Sequence, residues 1–234
     1  MSQTPTMIAF PQEALTFLHD LRENNNRECF NANKKRFKDE LQAPSAELVA
    51  TLGTRLQEHF PEITYDVAIN GSGSLMRIYR DTRFSKDKTP YKENIAMGFS
   101  AGAKSKMAKP SFGIQIGAES AGVMAGQFGF DKEQLKTYRD AVSDTTQGNA
   151  MLEAIQAVQS AGDYVIKGAH YKRIPRGYNA LGDERDPYLL YNGLWASYET
   201  IPADVVTSDV FVDTVIEHFV AMSPIQQWLQ EIFS

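Results

Sequence analysis

Apolar positions recur at helical spacing near the start of the chain. Phe17, Leu18 and Leu21 make one apolar face behind Pro11, whose fixed φ suits a first helical position. Asn24-Asn25-Asn26 then interrupts, because asparagine side chains compete for backbone hydrogen bonds and favour caps and turns. A second helix is expected with Phe30, Phe37 and Leu41 on one side. Pro44 predicts a break, and Leu48, Leu52 and Leu56, spaced by four, predict a third helix or a continuation of the second. From about residue 65 to 130 the pattern changes to period-two alternation broken by glycine. Strands are predicted over 75–83, 93–99 and 112–116, with 123–128 as a further candidate. Asp131 and Gln134 then form a capping box ahead of Leu135, Tyr138 and Val142. Met151, Leu152, Ile155 and Val158 give another helical face, and a short strand is expected over 164–166. Two closing helices are predicted, one carrying Phe211, Val215, Phe219 and Met222. The other would be opened by Ser223-Pro224 and carry Ile225, Trp228, Leu229 and Ile232. The expected fold is α+β, a single domain over residues 1–234. An antiparallel sheet (about 65–130) packs against N-terminal helices (about 10–60) and a mixed, helical C-terminal region (about 131–234).

At 234 residues, 42% hydrophobic and 23% charged, the chain is long enough to bury a stable core without crosslinks. Cys29 is the single cysteine, so neither an intramolecular disulfide nor a cysteine-based zinc site is expected. The N-terminal residues lack a basic region followed by an apolar run, and no stretch nears the roughly 20 apolar residues of a membrane span. A soluble, cytoplasmic protein without membrane association is expected. The net charge of −5 argues against extended nucleic-acid binding, which needs a broad basic face.

The charge is unevenly spread. The stretch 77–94, RIYRDTRFSKDKTPYKEN, carries six cations (Arg77, Arg80, Arg83, Lys86, Lys88 and Lys92) against three anions (Asp81, Asp87 and Glu93). A positive island on an acidic body focuses field at one place. Strand alternation puts Arg77, Tyr79, Asp81 and Arg83 on one face, and Met76, Ile78 and Arg80 on the other, which faces the core. Arg80 is then the internal ion-pair partner; Arg77, Arg83 and the 86–92 loop are the better ligand candidates. Arg77 and Arg83 would lie about 20 Å apart on a straight strand, so either the strand bends or the two serve different partners. The loop 85–90, with Pro90 holding Thr89 extended, can fold back to offer Lys86, Lys88 and backbone N–H groups to an anion.

Three segments carry a family resemblance: NNNRE at 24–28, SLMRIYRDTRFSKDKTPYKENI at 74–95 and KRIPRGY at 172–178. Together they resemble the domain-of-unknown-function 2461 family of bacterial and fungal proteins, over nearly the whole chain. The resemblance implies a shared fold and a shared site, with no reaction attached. Because all three segments carry cations and two carry glycine or asparagine turn signals, Asn26-Arg27, the central motif and Lys172-Arg173-Pro175-Arg176 are expected to converge on one cleft, with Lys34, Tyr79, Asp81, Tyr91 and the central cations as candidate ligand contacts. The chain departs from the family pattern at three places. Cys29 stands where the family usually has tryptophan, Asn33 at a histidine position, and Asp186-Pro187 at a common histidine-proline pair. Acid–base catalysis by those histidines is therefore not expected here.

Other signals are weak. Gly98-Phe99-Ser100-Ala101-Gly102 matches the nucleophile-elbow pattern but precedes a lysine-rich loop instead of a helix. Gly71-Ser72-Gly73-Ser74 lacks a phosphate-loop lysine. His19, His59, His170 and His218 are scattered, no metal site is expected, and Trp195 and Trp228 read as core. Three functions stay open. The first is a binding module for a phosphorylated or otherwise anionic ligand (a nucleotide, a phosphorylated metabolite or a nucleic-acid end), with Tyr79, Phe84 and Tyr91 available to stack on a base. The second is an enzyme acting on a phosphorylated or carboxylated small molecule, with Asp81 or Glu28 as base or metal ligand. The third is an ion-pair network that only holds the hairpin. No cofactor and no oligomeric state are indicated.

Overall fold

A computed structural model describes residues 7–83, 85–102 and 109–234. Its strands form a six-stranded antiparallel sheet in the order β1-β2-β3-β4-β6-β5, with helices from both ends of the chain, an α+β fold. The chain divides into two compact units. One draws on residues 1–103, 113–122 and 199–217, the other on 104–112, 123–198 and 218–234.

In the first unit, α1 (Gln12–Glu23) buries Ala14, Leu15, Phe17, Leu18 and Leu21, the stripe expected from its spacing. Pro11 sits just outside as the N-cap. Asn26 caps α2 (Arg27–Ala32) by accepting the Cys29 N–H (2.9 Å). The chain then stays helical through α3 (Lys34–Arg36), a π-helical turn (Phe37–Gln42) and α4 (Ala43–His59). The break expected at Pro44 is replaced by that turn. A proline ring collides with the carbonyl four residues back, and here the ladder widens just before it, with the Ala43 N–H reaching Lys38 O five residues back. Leu48, Leu52 and Leu56 are fully buried on α4. The short edge strand β1 (Ile63–Thr64) pairs antiparallel with β2 (Asn94–Ala101), Ile63 opposite Ala101. Strands β3 (Ser111–Gly117) and β4 (Ser120–Gln127) follow, of which residues 113–122 belong to this unit. After β6, α7 (Ala203–Val206) ties back to the start of the chain through the Phe10 N–H on the Val206 carbonyl (2.9 Å).

In the second unit the capping box of Asp131 and Gln134 opens α5 (Lys132–Ser143), and Asp144 caps α6 (Thr145–Ala161). Strand β5 (Val165–Ala169) lies at the sheet edge and pairs with β6 (Tyr191–Pro202), with a bulge around Gly168. Gly168 has φ +134°, and a Cβ there would stand 1.9 Å from the Gly193 carbonyl oxygen, so only glycine fits the bulge. The twelve-residue β6 has no counterpart among the expected strands. It runs between β4 and β5, so small residues such as Gly193, Ala196 and Ser197 are buried in place of an alternating apolar row. Trp195, expected in the core, is half-buried against the exposed Phe128 (ring centroids 4.9 Å), whereas Trp228 is buried and donates to Gln147 O.

The two closing helices are one. Helix α8 (Phe211–Ile232) runs unbroken with Pro224 inside it. Proline lacks the N–H that would bond the carbonyl of Val220, four residues earlier, and the Ser223 hydroxyl donates to that carbonyl instead (2.8 Å). Among the described residues no helix is long and apolar enough to cross a membrane.

Because Ser223 is buried, Ser223→Ala should leave the Val220 carbonyl unpaired and cost about 1–3 kcal/mol in urea unfolding. Adding Pro224→Ala should recover most of that loss by restoring a backbone donor.

Candidate functional site

The central motif lies in the first unit and is not the continuous strand expected over 75–83. It touches its partner at two isolated antiparallel bridges, Leu75 with Met97 and Tyr79 with Tyr91. Three residues lie between the bridges on one side (76–78) and five on the other (92–96), so the second side bulges by two residues. Around the second bridge the Arg80 N–H donates to Pro90 O (2.9 Å) and the Lys92 N–H to Ile78 O (2.7 Å). The predicted alternation survives without the strand. Arg77, Tyr79, Asp81 and Arg83 are exposed, while Ile78 is buried and Met76 and Arg80 are half-buried.

The tip of the motif folds on its own charges. Arg80 Nη1 donates to Asp87 Oδ2 (2.5 Å) and to Thr89 Oγ1. Asp87 Oδ1 also accepts the Thr89 N–H (3.0 Å) and the Thr89 hydroxyl (2.9 Å). The Thr89 N–H bond, with Arg80 behind it, holds the Asp87 carboxyl down at about 2. Lys88 Nζ donates to Thr82 O (2.8 Å), and Arg83 grips Asp81 through Nη2 (2.6 Å) and Nε (2.9 Å). Arg83 likewise holds the Asp81 carboxyl below its ordinary value. Arg80 is the internal ion-pair partner expected from its face, its acid being Asp87. Arg83 and Lys88 are occupied by the loop itself, as is the Thr89 N–H. Arg83 reaches back two residues to Asp81, which Arg77 does not share.

The remaining cations are differently placed. Arg77 is exposed, its stem lying over Gly71; a Cβ at that glycine (φ +84°) would come 2.2 Å from Arg77 Cγ. Lys92 is half-buried, and its ammonium is held below the ordinary lysine value first by burial and then by the charge of Arg77. Arg27, Lys34 and Lys86 are exposed. Among the described residues, none of Arg27, Lys34, Arg77, Lys86 and Lys92 has an ion-pair partner.

An aromatic stack anchors this segment to the N-terminal helices. The Tyr91 ring lies parallel to Phe30 (4.0 Å, 17°), and Tyr79 leans on both, at 5.4 Å from Tyr91 and 6.1 Å from Phe30. Asn25 closes the joint as a strand neighbour would. Its Oδ1 accepts the Tyr91 N–H (3.1 Å) and its Nδ2 donates to the Tyr91 carbonyl (3.0 Å). Tyr91, one of the residues expected to stack on a ligand, is 3% exposed and already stacked; Tyr79 is 56% exposed. Burial and Tyr79 push the Tyr91 hydroxyl up, and the charge of Arg27 opposes them. Phe84 lies outside the described residues.

The positions that depart from the family pattern are structurally employed. Asn33 Nδ2 donates to Cys29 O (3.0 Å) at the end of α2. Asp186 accepts the N–H groups of Leu181 (2.5 Å) and Gly182 (3.1 Å), closing the turn before β6. Ser100 sits inside β2, 6% exposed, and not at a strand-to-helix turn. No group of three His, Cys, Asp or Glu side chains is placed to hold a metal ion among the described residues.

Arg173 and Arg176 belong to the second unit and are exposed. Beside them in sequence, Tyr171 and Tyr178 flank the guanidinium of Arg139 at 4.9 and 5.9 Å. Tyr178 donates to Asp140 Oδ1 (2.7 Å), and burial together with that bond pushes its hydroxyl up to about 12. Arg139 carried no sequence signal, since its role comes from a segment more than thirty residues away.

Two outcomes follow from the joint and the tip. Asn25→Ala should cost about 1–3 kcal/mol, read by thermal unfolding, because both backbone groups of buried Tyr91 lose their partner. The Asp87 carboxyl, followed by NMR, should titrate near 2, with the Thr89 amide shift tracking it. Its folded value lies below its unfolded one, so its stabilisation is complete above the ordinary carboxylate value and is lost as pH falls through about 2.

The family model described as conserved hypothetical protein (DUF2461) matches residues 13–228. No curated protein matches the chain significantly. With the match covering nearly its whole length, the chain belongs to the DUF2461 family.

Proposed function

We propose that the protein binds a phosphorylated or otherwise anionic small ligand, with Arg77 and Lys92 as the contact pair and Arg27 beside them. One observation carries this reading: Lys92 is half-buried next to the like charge of Arg77, with no carboxylate in partnership among the described residues. A half-buried lysine within the field of an exposed arginine disfavours its charged form, and a bound anion removes that opposition. Arginine supplies a bidentate fork and lysine a point charge, a pairing suited to phosphate. The other motif cations hold the loop, so the ion-pair network expected as an alternative describes the tip, 80–89, and the ligand contacts lie at its base.

An enzymatic role at the same place would need a base. Asp81 is bound by Arg83 and held below its ordinary value, which makes it a weak base at neutral pH. Of the two candidate bases, Asp81 is thus spent on Arg83, and Glu28 is exposed in the first turn of α2; binding without chemistry is the reading we favour. The proposed setting is the cytoplasm, in keeping with a lone unpaired cysteine.

Phosphate titrated calorimetrically at low salt should bind the full chain, and Arg77→Ala or Lys92→Ala should each weaken it about tenfold or more. Neither variant should lower the melting temperature, since neither residue makes an ion pair. No phosphate binding, or a large loss of stability in both variants, would overturn the reading. The pH dependence has a definite sign. The charged Lys92 binds, so affinity should fall as pH rises through its depressed pKa, whereas Lys92→Arg should hold affinity to higher pH.

A further inference from the structure

The motif also contains a ring that the fold holds out to solvent. Tyr79 is 56% exposed yet fixed from three directions. Phe30 meets it edge-on (62°), Tyr91 packs beside it, and the 79–91 bridge with its flanking hydrogen bonds fixes its backbone. An exposed aromatic side chain normally loses little by moving, but this one is braced with part of its surface left open. Alternation puts it on the same face as Arg77, two residues and roughly 7 Å away along an extended backbone. Gly71 lies under the stem of Arg77, and Arg27 acts on the neighbouring Tyr91 hydroxyl. The face thus offers one aromatic surface, with cations within a small molecule's reach of it.

We infer that the ligand is a nucleoside monophosphate, its base stacked on Tyr79 and its phosphate at Arg77, which shares that face. This rests on the anion-binding reading above and adds the class of molecule. A single braced ring sets the size: one base stacks, and the second ring of the pair, Tyr91, is sealed against Phe30. Each base-on-aromatic contact contributes a stacking term indifferent to base identity, so selectivity between bases should be slight.

The test compares adenosine 5′-monophosphate, adenosine and inorganic phosphate by calorimetry on the full-length protein, its Tyr79→Leu and Tyr79→Ala variants, and Tyr79→Phe. The expected result is nucleotide binding about tenfold to a hundredfold tighter than phosphate. That advantage should be lost in Tyr79→Leu, which keeps an apolar contact for Phe30, and kept in Tyr79→Phe. Phosphate affinity should be unchanged in all three. Equal affinity for phosphate and nucleotide, with no effect of Tyr79→Leu, would overturn the stacking inference and leave the anion site standing. Failure of wild type to bind either phosphate or nucleotide would overturn both. Should Tyr79→Ala unfold, the Leu and Phe pair still decides the question.

Discussion

Asn25 ties the motif to the helices by bonding both backbone groups of Tyr91, with Phe30 stacked on the Tyr91 ring. The motif has only two backbone bridges to its partner segment and a two-residue bulge between them. Such a ribbon is marginal by itself, because a lone hairpin in water buries too little to offset its ordering entropy. The joint supplies the missing burial on one side and two oriented hydrogen bonds on the other. With Tyr91 fixed, Tyr79 takes its braced position beside it.

The charges divide by position along the ribbon. At the tip, arginines find acids within a few residues: Arg83 with Asp81, Arg80 with Asp87. Exposed pairs of this kind contribute little stability, but they define a loop that would otherwise be flexible and positively charged. At the base, Arg77 and Lys92 make no ion pair among the described residues, and the charge of Arg77 adds to burial in holding the Lys92 ammonium below its ordinary value. A basic motif thus acquires two chemistries from one composition. Local pairing handles Arg80 and Arg83, while Arg77 and Lys92 make no ion pair among the described residues.

The legible parts of the fold were those encoded by short-range pattern. The α1 stripe, the Asp131 box and the exposure alternation across 76–83 needed only local spacing. Features set by one particular bonding choice or by distant segments were not legible. Pro44 and Pro224 read as breaks, because the π turn before one and the Ser223 hydroxyl behind the other are particular bonding choices. Strand β6 was missed because a strand flanked on both edges can bury glycine, alanine and serine. Within the site, the cations and Tyr79 could be named from sequence, but the loss of Tyr91 to Phe30 could not.

The sequence alone determined which side chains carry charge, which face of the ribbon they share, and that a positive island sits on an acidic chain. Side-chain alternation and net charge are properties of covalent order, so no tertiary contact was needed to know them. Only the tertiary structure decided which cations are spent on the loop, which ring is sealed and which is open. Those outcomes depend on what lies opposite each residue, and Asn25 and Phe30 reach Tyr91 from more than sixty positions away.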